Sequence, residues 1–216
     1  MRGRGCPELV GRDDERAVLL TALEEAGQGR GRLVLVTGEA GVGKTRLVAD
    51  LAQQAAGRRV TVLTGRTVDT VAPVPLRPLF EALSGHVRRV GVDNDVVSRR
   101  LRGPLAHLVP EWRVDGEEPY RATPMEIGEA LLRLLGSLSD EGCVLILEDL
   151  HWADPETAAV VEYVGDNIWS TPVLCIGTSR PEGPEAVRRA FHDLEGRGGA
   201  VVVELGRLEA ADIGRM

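Results

Sequence analysis

Lysine is nearly missing from this sequence. Of its 26 basic residues, 25 are arginine and one, Lys44, is lysine. So strong a preference reflects coding bias across the surface, and it marks Lys44 as a position where arginine was not used. Aromatic residues are scarce as well, with 3 Trp, 2 Tyr and 2 Phe in 216 residues, which argues against base-stacking platforms. Three cysteines cannot build a disulfide framework. Cys143 and Cys175 sit inside apolar runs and read as small hydrophobes, so a reducing cytoplasm is the expected compartment. The longest apolar runs, Leu33–Val36 and Cys143–Leu147, fall far short of the roughly 20 residues that cross a bilayer. Met1-Arg2-Gly3-Arg4 is not followed by the apolar stretch of a secretory signal. The net charge of -7 argues against a general nucleic-acid surface. The four histidines show no metal-ligand spacing, and neither G-x-S-x-G nor a Cys/His dyad is present. What is left, 43% apolar and 27% charged, is a soluble globular composition, long enough for one large α/β domain or two small ones.

Two kinds of segment alternate along the chain. β-branched runs at Arg32–Thr37, Val60–Thr64, Cys143–Glu148, Val173–Ser179 and Ala200–Leu205 are almost continuously apolar, the pattern of parallel strands covered on both faces. Helical patterns separate them. Asp13 is expected to cap a helix over Asp14–Ala26, with Val18, Leu19, Ala22 and Leu23 on one face. A second helix is expected from Lys44 to Ala56. Thr123-Pro124-Met125-Glu126 is a capping box opening a helix to about Ser139, and Asp154-Pro155-Glu156-Thr157 repeats that logic towards Val164. Pro184 begins another helix, ending near Gly196. The repeated βα rhythm predicts a doubly wound α/β fold over residues 1–216. It breaks once, over residues 65–120, where Pro73, Pro75 and Pro78 punctuate a connection. Helices are expected there around Leu79–Arg89 and Asp95–Leu101, with Pro104, Pro110 and Pro119 interrupting the remainder. This stretch is too apolar for a linker and reads as a helical insertion on the sheet's edge.

Gly38-Glu39-Ala40-Gly41-Val42-Gly43-Lys44-Thr45 matches G-x-x-x-x-G-K-[ST], the P-loop or Walker A pattern, with a β-run before it and a helix after it. Its glycines let successive backbone N–H groups converge on phosphate oxygens, where a helix N-terminus adds positive potential. Lys44 would reach the β- and γ-phosphates as a flexible point charge, which a planar guanidinium replaces poorly. Thr45 would hold Mg²⁺ through its hydroxyl. The alternative is a glycine-rich strand-to-helix turn whose residues match by accident.

A P-loop needs an acid at the tip of a second strand, and Cys143–Glu148 supplies one, ending in Glu148 and Asp149. Adjacent acids after a buried strand cost solvation energy unless a cation or donors meet them. Either acid would serve the metal while the other polarises the attacking water as general base. The alternative is a solvated strand end with one acid capping the next turn. Val173–Ser179 ends in Thr178-Ser179-Arg180. If that strand lies between the other two, Arg180 faces the γ-phosphate and Ser179 or Thr178 donates hydrogen bonds; otherwise Arg180 is one more surface arginine. His151 and Trp152 either shape the site or form a packed pair under the Asp154 cap.

Leu9-Val10-Gly11-Arg12-Asp13, the P-loop, Leu147-Glu148-Asp149-Leu150-His151-Trp152-Ala153-Asp154 and Gly177-Thr178-Ser179-Arg180 together resemble one family. It is the AAA-type ATPase domain at the N-terminus of large LuxR-family transcriptional regulators. These are related to the maltose-operon activator and belong to the STAND class of signal-transduction ATPases. The resemblance covers nearly the whole chain and implies a P-loop NTPase sheet of order 5-1-4-3-2. It places Val10, Gly11 and Arg12 beside the adenine and ribose, and Gly38 through Thr45 around the phosphates and Mg²⁺. It implies that Glu148 and Asp149 form the acid pair, that Thr45 and Glu148 hold the metal, and that Arg180 senses the γ-phosphate. Many related ATPases have Asp first in the pair; here Glu comes first. A misplacement of about 1 Å can cost on the order of 100-fold in rate, so slow hydrolysis is expected. The passage Gly206–Asp212 resembles the approach to the family's helical lid. With the lid and output domains absent, the resemblance implies a fragment of a longer regulator or a truncated homologue.

The leading expectation is therefore a cytoplasmic ATP-binding, slowly hydrolysing switch, in which ATP favours an assembled state and ADP a closed one. Its partners would be the nucleotide, other domains of the parent regulator and further copies of itself, with neither direct DNA contact by this segment nor membrane association. Two other readings are a nucleotide-binding module without turnover and a motor-type AAA ATPase; charge and the missing lid count against the motor.

Overall fold

All five β-branched runs form strands, and all pair in parallel. The computed structural model describes residues 10–70, 74–91, 99–112 and 121–208. The strands are β1 (Arg32–Gly38), β2 (Thr61–Arg66), β3 (Cys143–Glu148), β4 (Val173–Ser179) and β5 (Val201–Leu205). Their order is β2-β3-β4-β1-β5, which read from the other edge is the expected 5-1-4-3-2. The helices are α1 (Asp13–Gly27), α2 (Lys44–Gly57), α3 (Arg77–Val90), α4 (Arg99–Leu105), α5 (Pro124–Ser137), α6 (Pro155–Asn167) and α7 (Glu185–Gly196).

Continuous apolar strands follow from a sheet with both faces covered. Successive side chains alternate between faces, so Leu33 and Leu35, Cys143, Leu145 and Leu147, and Val173 and Cys175 enter one core. Val34 and Val36, Val144 and Ile146, and Leu174 and Ile176 enter the other. The second core is closed by Leu19 and Leu23 of α1 and by Leu47, Val48 and Leu51 of α2. The first is closed by α5, α6 and α7, and also by residues of the 65–120 stretch. Leu79, Leu83 and Val87 of α3, and Leu105, Leu108 and Trp112, are buried in it. Helix α3 lies along β2, the edge strand.

The capping signals before α5 and α6 are realised. Thr123 Oγ1 accepts from the Glu126 N–H at 3.3 Å while Glu126 accepts from the Thr123 N–H at 2.8 Å. Asp154 accepts from the Thr157 N–H at 2.9 Å. Three expectations need correction. Asp13 does not cap α1; it is the first helical residue, and Arg12 holds the cap position without a side-chain cap bond. Asp13, Asp14 and Glu15 instead fill the first turn, where the positive end of the helix dipole favours carboxylates. The helix expected over Asp95–Leu101 is α4, Arg99–Leu105; positions 92–98 lie outside the described residues. Pro104 does not interrupt it but sits within its last turn; its missing N–H forgoes the bond to the carbonyl four residues back, and the helix ends one residue later. Among the described residues no helix is long and apolar enough to cross a membrane.

Candidate functional site

The P-loop is the turn from β1 into α2. Gly43 occupies the cap position of α2 with φ +105°, and Gly41 precedes it at +77°. Both lie in the left-handed region that glycine adopts without a Cβ penalty. A glycine cap leaves the first amides of α2 without a side-chain partner, so they stay available to an anion. Glu39, Ala40, Gly41 and Thr45 are exposed at the mouth, whereas Lys44 is buried and 7% exposed. Its ammonium folds back over the loop, donating to the Gly38 carbonyl at 2.6 Å and to the Glu39 carbonyl at 2.9 Å. Burial lowers the Lys44 pKa from its ordinary value, with Arg180 adding to that and Asp149 and Glu182 opposing it.

Val10, Gly11 and Arg12 lead into α1. The Arg12 side chain turns to the P-loop, donating to the Val42 carbonyl at 3.2 Å, to the Gly206 carbonyl at 2.5 Å and to Glu15 at 2.9 Å. A second arginine joins the same two segments: Arg207 reaches Glu39 through Nε at 3.2 Å and Nη2 at 2.9 Å. The chain leaving β5 is thus tied to the phosphate loop at both ends of that loop.

The acid pair stands at the tip of β3, and donors meet it. Arg66 lies opposite Glu148 in the β2–β3 register. Its Nε and Nη2 both reach one Asp149 carboxylate oxygen, at 2.8 and 2.6 Å, and Glu148 lies 4.0 Å away. Burial pushes the Glu148 carboxyl up from its usual range; Arg66 opposes that shift and Asp149 adds to it. The pair's backbone is held as well. Asp149 is left-handed, φ +59°, and its N–H donates to Thr178 Oγ1 at 2.9 Å. Thr67, only 2% exposed, donates its hydroxyl to the Asp149 carbonyl and, at 3.1 Å, to the Glu148 carbonyl.

β4 does lie between β1 and β3, so its tip separates the P-loop from the acids. Arg180 follows that tip, half-buried, and its charge acts on both Lys44 and His151. Thr178 faces the acid pair rather than the open site, because its hydroxyl accepts from Asp149. Ser179 Oγ donates to the Arg180 carbonyl at 3.2 Å. His151 and Trp152 do form a pair, with ring centroids 5.1 Å apart and planes at 43°. Burial pushes the Cys143 thiol upward and that of Cys175 to about 12, which leaves neither as a nucleophile.

Among the described residues no cluster of three or more His, Cys, Asp or Glu could cage a metal ion by itself. Mg²⁺ keeps waters and takes only one or two protein oxygens beside phosphates. An exposed Thr45 hydroxyl and the Glu148 carboxylate fit that donor set. Reading the sequence missed Arg66 and Thr67. Their signal was position: they end and follow the strand that pairs with the acid-tipped one, in a run that otherwise reads as an ordinary edge strand.

Residues 8–176 match the AAA ATPase domain family. An uncharacterized protein of Rhizobium meliloti (strain 1021) is 28% identical over 197 residues, a match covering 83% of this chain and 19% of that protein. The chain thus spans about a fifth of that relative's length. Among solved structures, it resembles AMPPCP-bound DnaA from Aquifex aeolicus with TM-score 0.45 and 14% identity, covering 91% of this chain and 46% of the other. Drosophila ORC bound to DNA gives TM-score 0.49 and 9% identity, covering 91% of each chain. PCH-2 of C. elegans gives 0.45 and 15%, covering 92% and 43%.

Proposed function

The chain belongs to the AAA ATPase domain family, and from that premise we propose that it binds ATP with Mg²⁺ at Gly38–Thr45 and acts as a slowly hydrolysing switch. The observation that carries the reading is convergence. Lys44 at the end of the loop that follows β1, Glu148 and Asp149 at the tip of β3, and Arg180 after the β4 strand between them bring two cations and two acids to one end of the sheet. In the proposed site the backbone amides of Gly41–Thr45 cradle the phosphates, and the Lys44 ammonium leaves its two carbonyls for the β- and γ-phosphates. Thr45 and Glu148 hold Mg²⁺, which would screen phosphate charge when bound. Asp149 orients and deprotonates the attacking water, and Arg180 takes up charge developing on the γ-phosphate. Val10, Gly11 and the backbone of Arg12 border the base.

On the same reading the chain is the nucleotide module of a LuxR-type, STAND-class regulator working in the cytoplasm. The resemblance of Leu147–Asp154 to that group supports this. ATP would favour an assembled state of the parent regulator, and output would lie with its other domains, without DNA or membrane contact by this one. The second reading, binding without turnover, is favoured by Arg66, which holds the proposed general base in an ion pair.

Nucleotide affinity and turnover with Mg²⁺ separate these. Lys44→Ala is expected to lose binding by at least about 100-fold; micromolar affinity retained in that variant would remove the P-loop from the mechanism. Asp149→Ala is expected to bind and not turn over, and unchanged activity would take Asp149 out of its role. Nucleotide released on denaturing the purified protein is expected to be adenine-based; GDP would overturn the base assignment.

A further inference from the structure

Among the described residues His151 is a buried polar side chain that the proposed chemistry leaves unused. It is 2% exposed, and neither Nδ1 nor Nε2 has a hydrogen-bond partner among the described residues. An imidazole carries at least one N–H donor in any protonation state. Buried polar groups are normally satisfied, so an unsatisfied one asks for a reason, and a bound anion is one of the few that supply it.

The backbone places this ring with care. Asp149, left-handed at φ +59°, turns the chain out of β3 into a 3₁₀ turn, Leu150–Trp152. Leu150 anchors that turn on the tip of β4: a Cβ at Gly177 would come within 2.5 Å of its Cδ1. From the other side, a Cβ at Gly183 would lie 3.0 Å from the His151 carbonyl oxygen and 3.1 Å from its Cβ. Gly183, three residues after Arg180, therefore sits directly on the His151 backbone and Cβ. The residue is held between the turn that follows the acids and the loop that carries Arg180. The charges acting on it are Asp149, Arg180, Lys44 and Glu182, and the first three belong to the proposed nucleotide site. A residue needed only to fill this space would be apolar, since leucine or phenylalanine fills it with no donor left over.

We infer that His151 contacts the terminal phosphate, its ring N–H donating to a γ-phosphate oxygen, so that it distinguishes ATP from ADP. The inference rests on the nucleotide-site reading above. It adds a link that reading lacks: a His151 engaged by the γ-phosphate would steady the Arg180 loop, whose Gly183 packs on its backbone and Cβ, and ADP would leave that loop without this support.

The test compares wild type, His151→Phe and His151→Gln in their affinities for β,γ-imido ATP and for ADP, each with Mg²⁺. Urea unfolding of the nucleotide-free proteins accompanies it. His151→Phe is expected to lose about tenfold in affinity for the triphosphate, the scale of one hydrogen bond to a charged group, and less than about twofold for ADP. His151→Gln, which keeps an N–H donor, is expected to retain most of the discrimination. The nucleotide-free Phe variant is expected to be at least as stable as wild type, because the unsatisfied group is gone, whereas a purely structural histidine would lower stability. Equal losses for both nucleotides, or no loss for either, overturn the inference. If His151→Phe does not fold, His151→Leu, which demands less room, carries the same comparison; failure of both to fold overturns it. Wild type that binds neither nucleotide overturns the site itself, a result distinct from discrimination that is indifferent to His151.

Discussion

Arg66 closes on Asp149 with Nε and Nη2 on the same carboxylate oxygen, at 2.8 and 2.6 Å. The guanidinium sits at the tip of the edge strand and is 58% exposed, while the Asp149 side chain is 19% exposed. An ion pair this open adds little to stability, ~1 kcal/mol or less. Its consequence is positional: the carboxylate proposed to activate water is directed towards β2.

Arg66→Gln is therefore expected to release Asp149 and raise steady-state ATP turnover by about three- to tenfold, a change of the size that small displacements of a catalytic group produce. Urea unfolding should move by less than about 1 kcal/mol. Turnover that stays level or falls would mean that Arg66 presents Asp149 to the water instead of withholding it.

Asp154 carries two duties on one carboxylate. Oδ1 caps α6 by accepting from the Thr157 N–H at 2.9 Å, and Oδ2 accepts from the Leu76 N–H at 3.2 Å and from the Thr157 hydroxyl. Leu76 is the left-handed residue, φ +59°, from which α3 begins. The cap of α6 is thus also the clasp that fixes the start of α3. Asp154→Ala removes a cap worth about 1 kcal/mol and leaves the buried Leu76 N–H unpaired at about 1–3 kcal/mol. A loss of about 2–4 kcal/mol is expected in urea unfolding, and Asp154→Asn, which keeps an acceptor oxygen, should lose less. A loss near 1 kcal/mol for Asp154→Ala would show that the Leu76 contact contributes nothing.

These two aspartates show where the sequence was legible and where it was not. The Asp154 cap could be read because capping is local: acceptor and donor lie three residues apart, and the Pro155 signal adjoins them. Its clasp on Leu76 could not, because the partner is 78 residues away and its left-handed backbone is not one that leucine advertises. The strand order was legible through a family resemblance, since apolar runs predict parallel strands without saying which neighbours which. Arg66 and Thr67 escaped notice because their importance comes from the β2–β3 register alone. Asp13 was misplaced for a simpler reason. A first turn rich in carboxylates resembles a cap in sequence, and the helix dipole explains the acids equally well.

Arg12 gives the last test, because it joins the start of the described chain, the phosphate loop and the strand exit in one side chain. It is 7% exposed and donates to Val42, Gly206 and Glu15. Val42 is part of the loop that would receive the phosphates, so the loop's shape and the path of the chain beyond β5 are coupled through one guanidinium. Arg12→Ala removes a buried charged donor from two backbone carbonyls and is expected to cost about 2 kcal/mol in urea unfolding, on the scale of a hydrogen bond from a charged donor. It should also loosen Val42 and weaken ATP affinity by about tenfold. That loss is readable as a smaller stabilisation by saturating Mg-ATP, since a ligand bound only by the native state stabilises it according to its dissociation constant. Arg12→Lys keeps the charge but not the planar fork, and a single ammonium cannot span the three acceptors, so it should recover only part of either effect. If Arg12→Ala lowers stability while the gain from Mg-ATP stays that of wild type, Arg12 holds the fold together without shaping the phosphate loop.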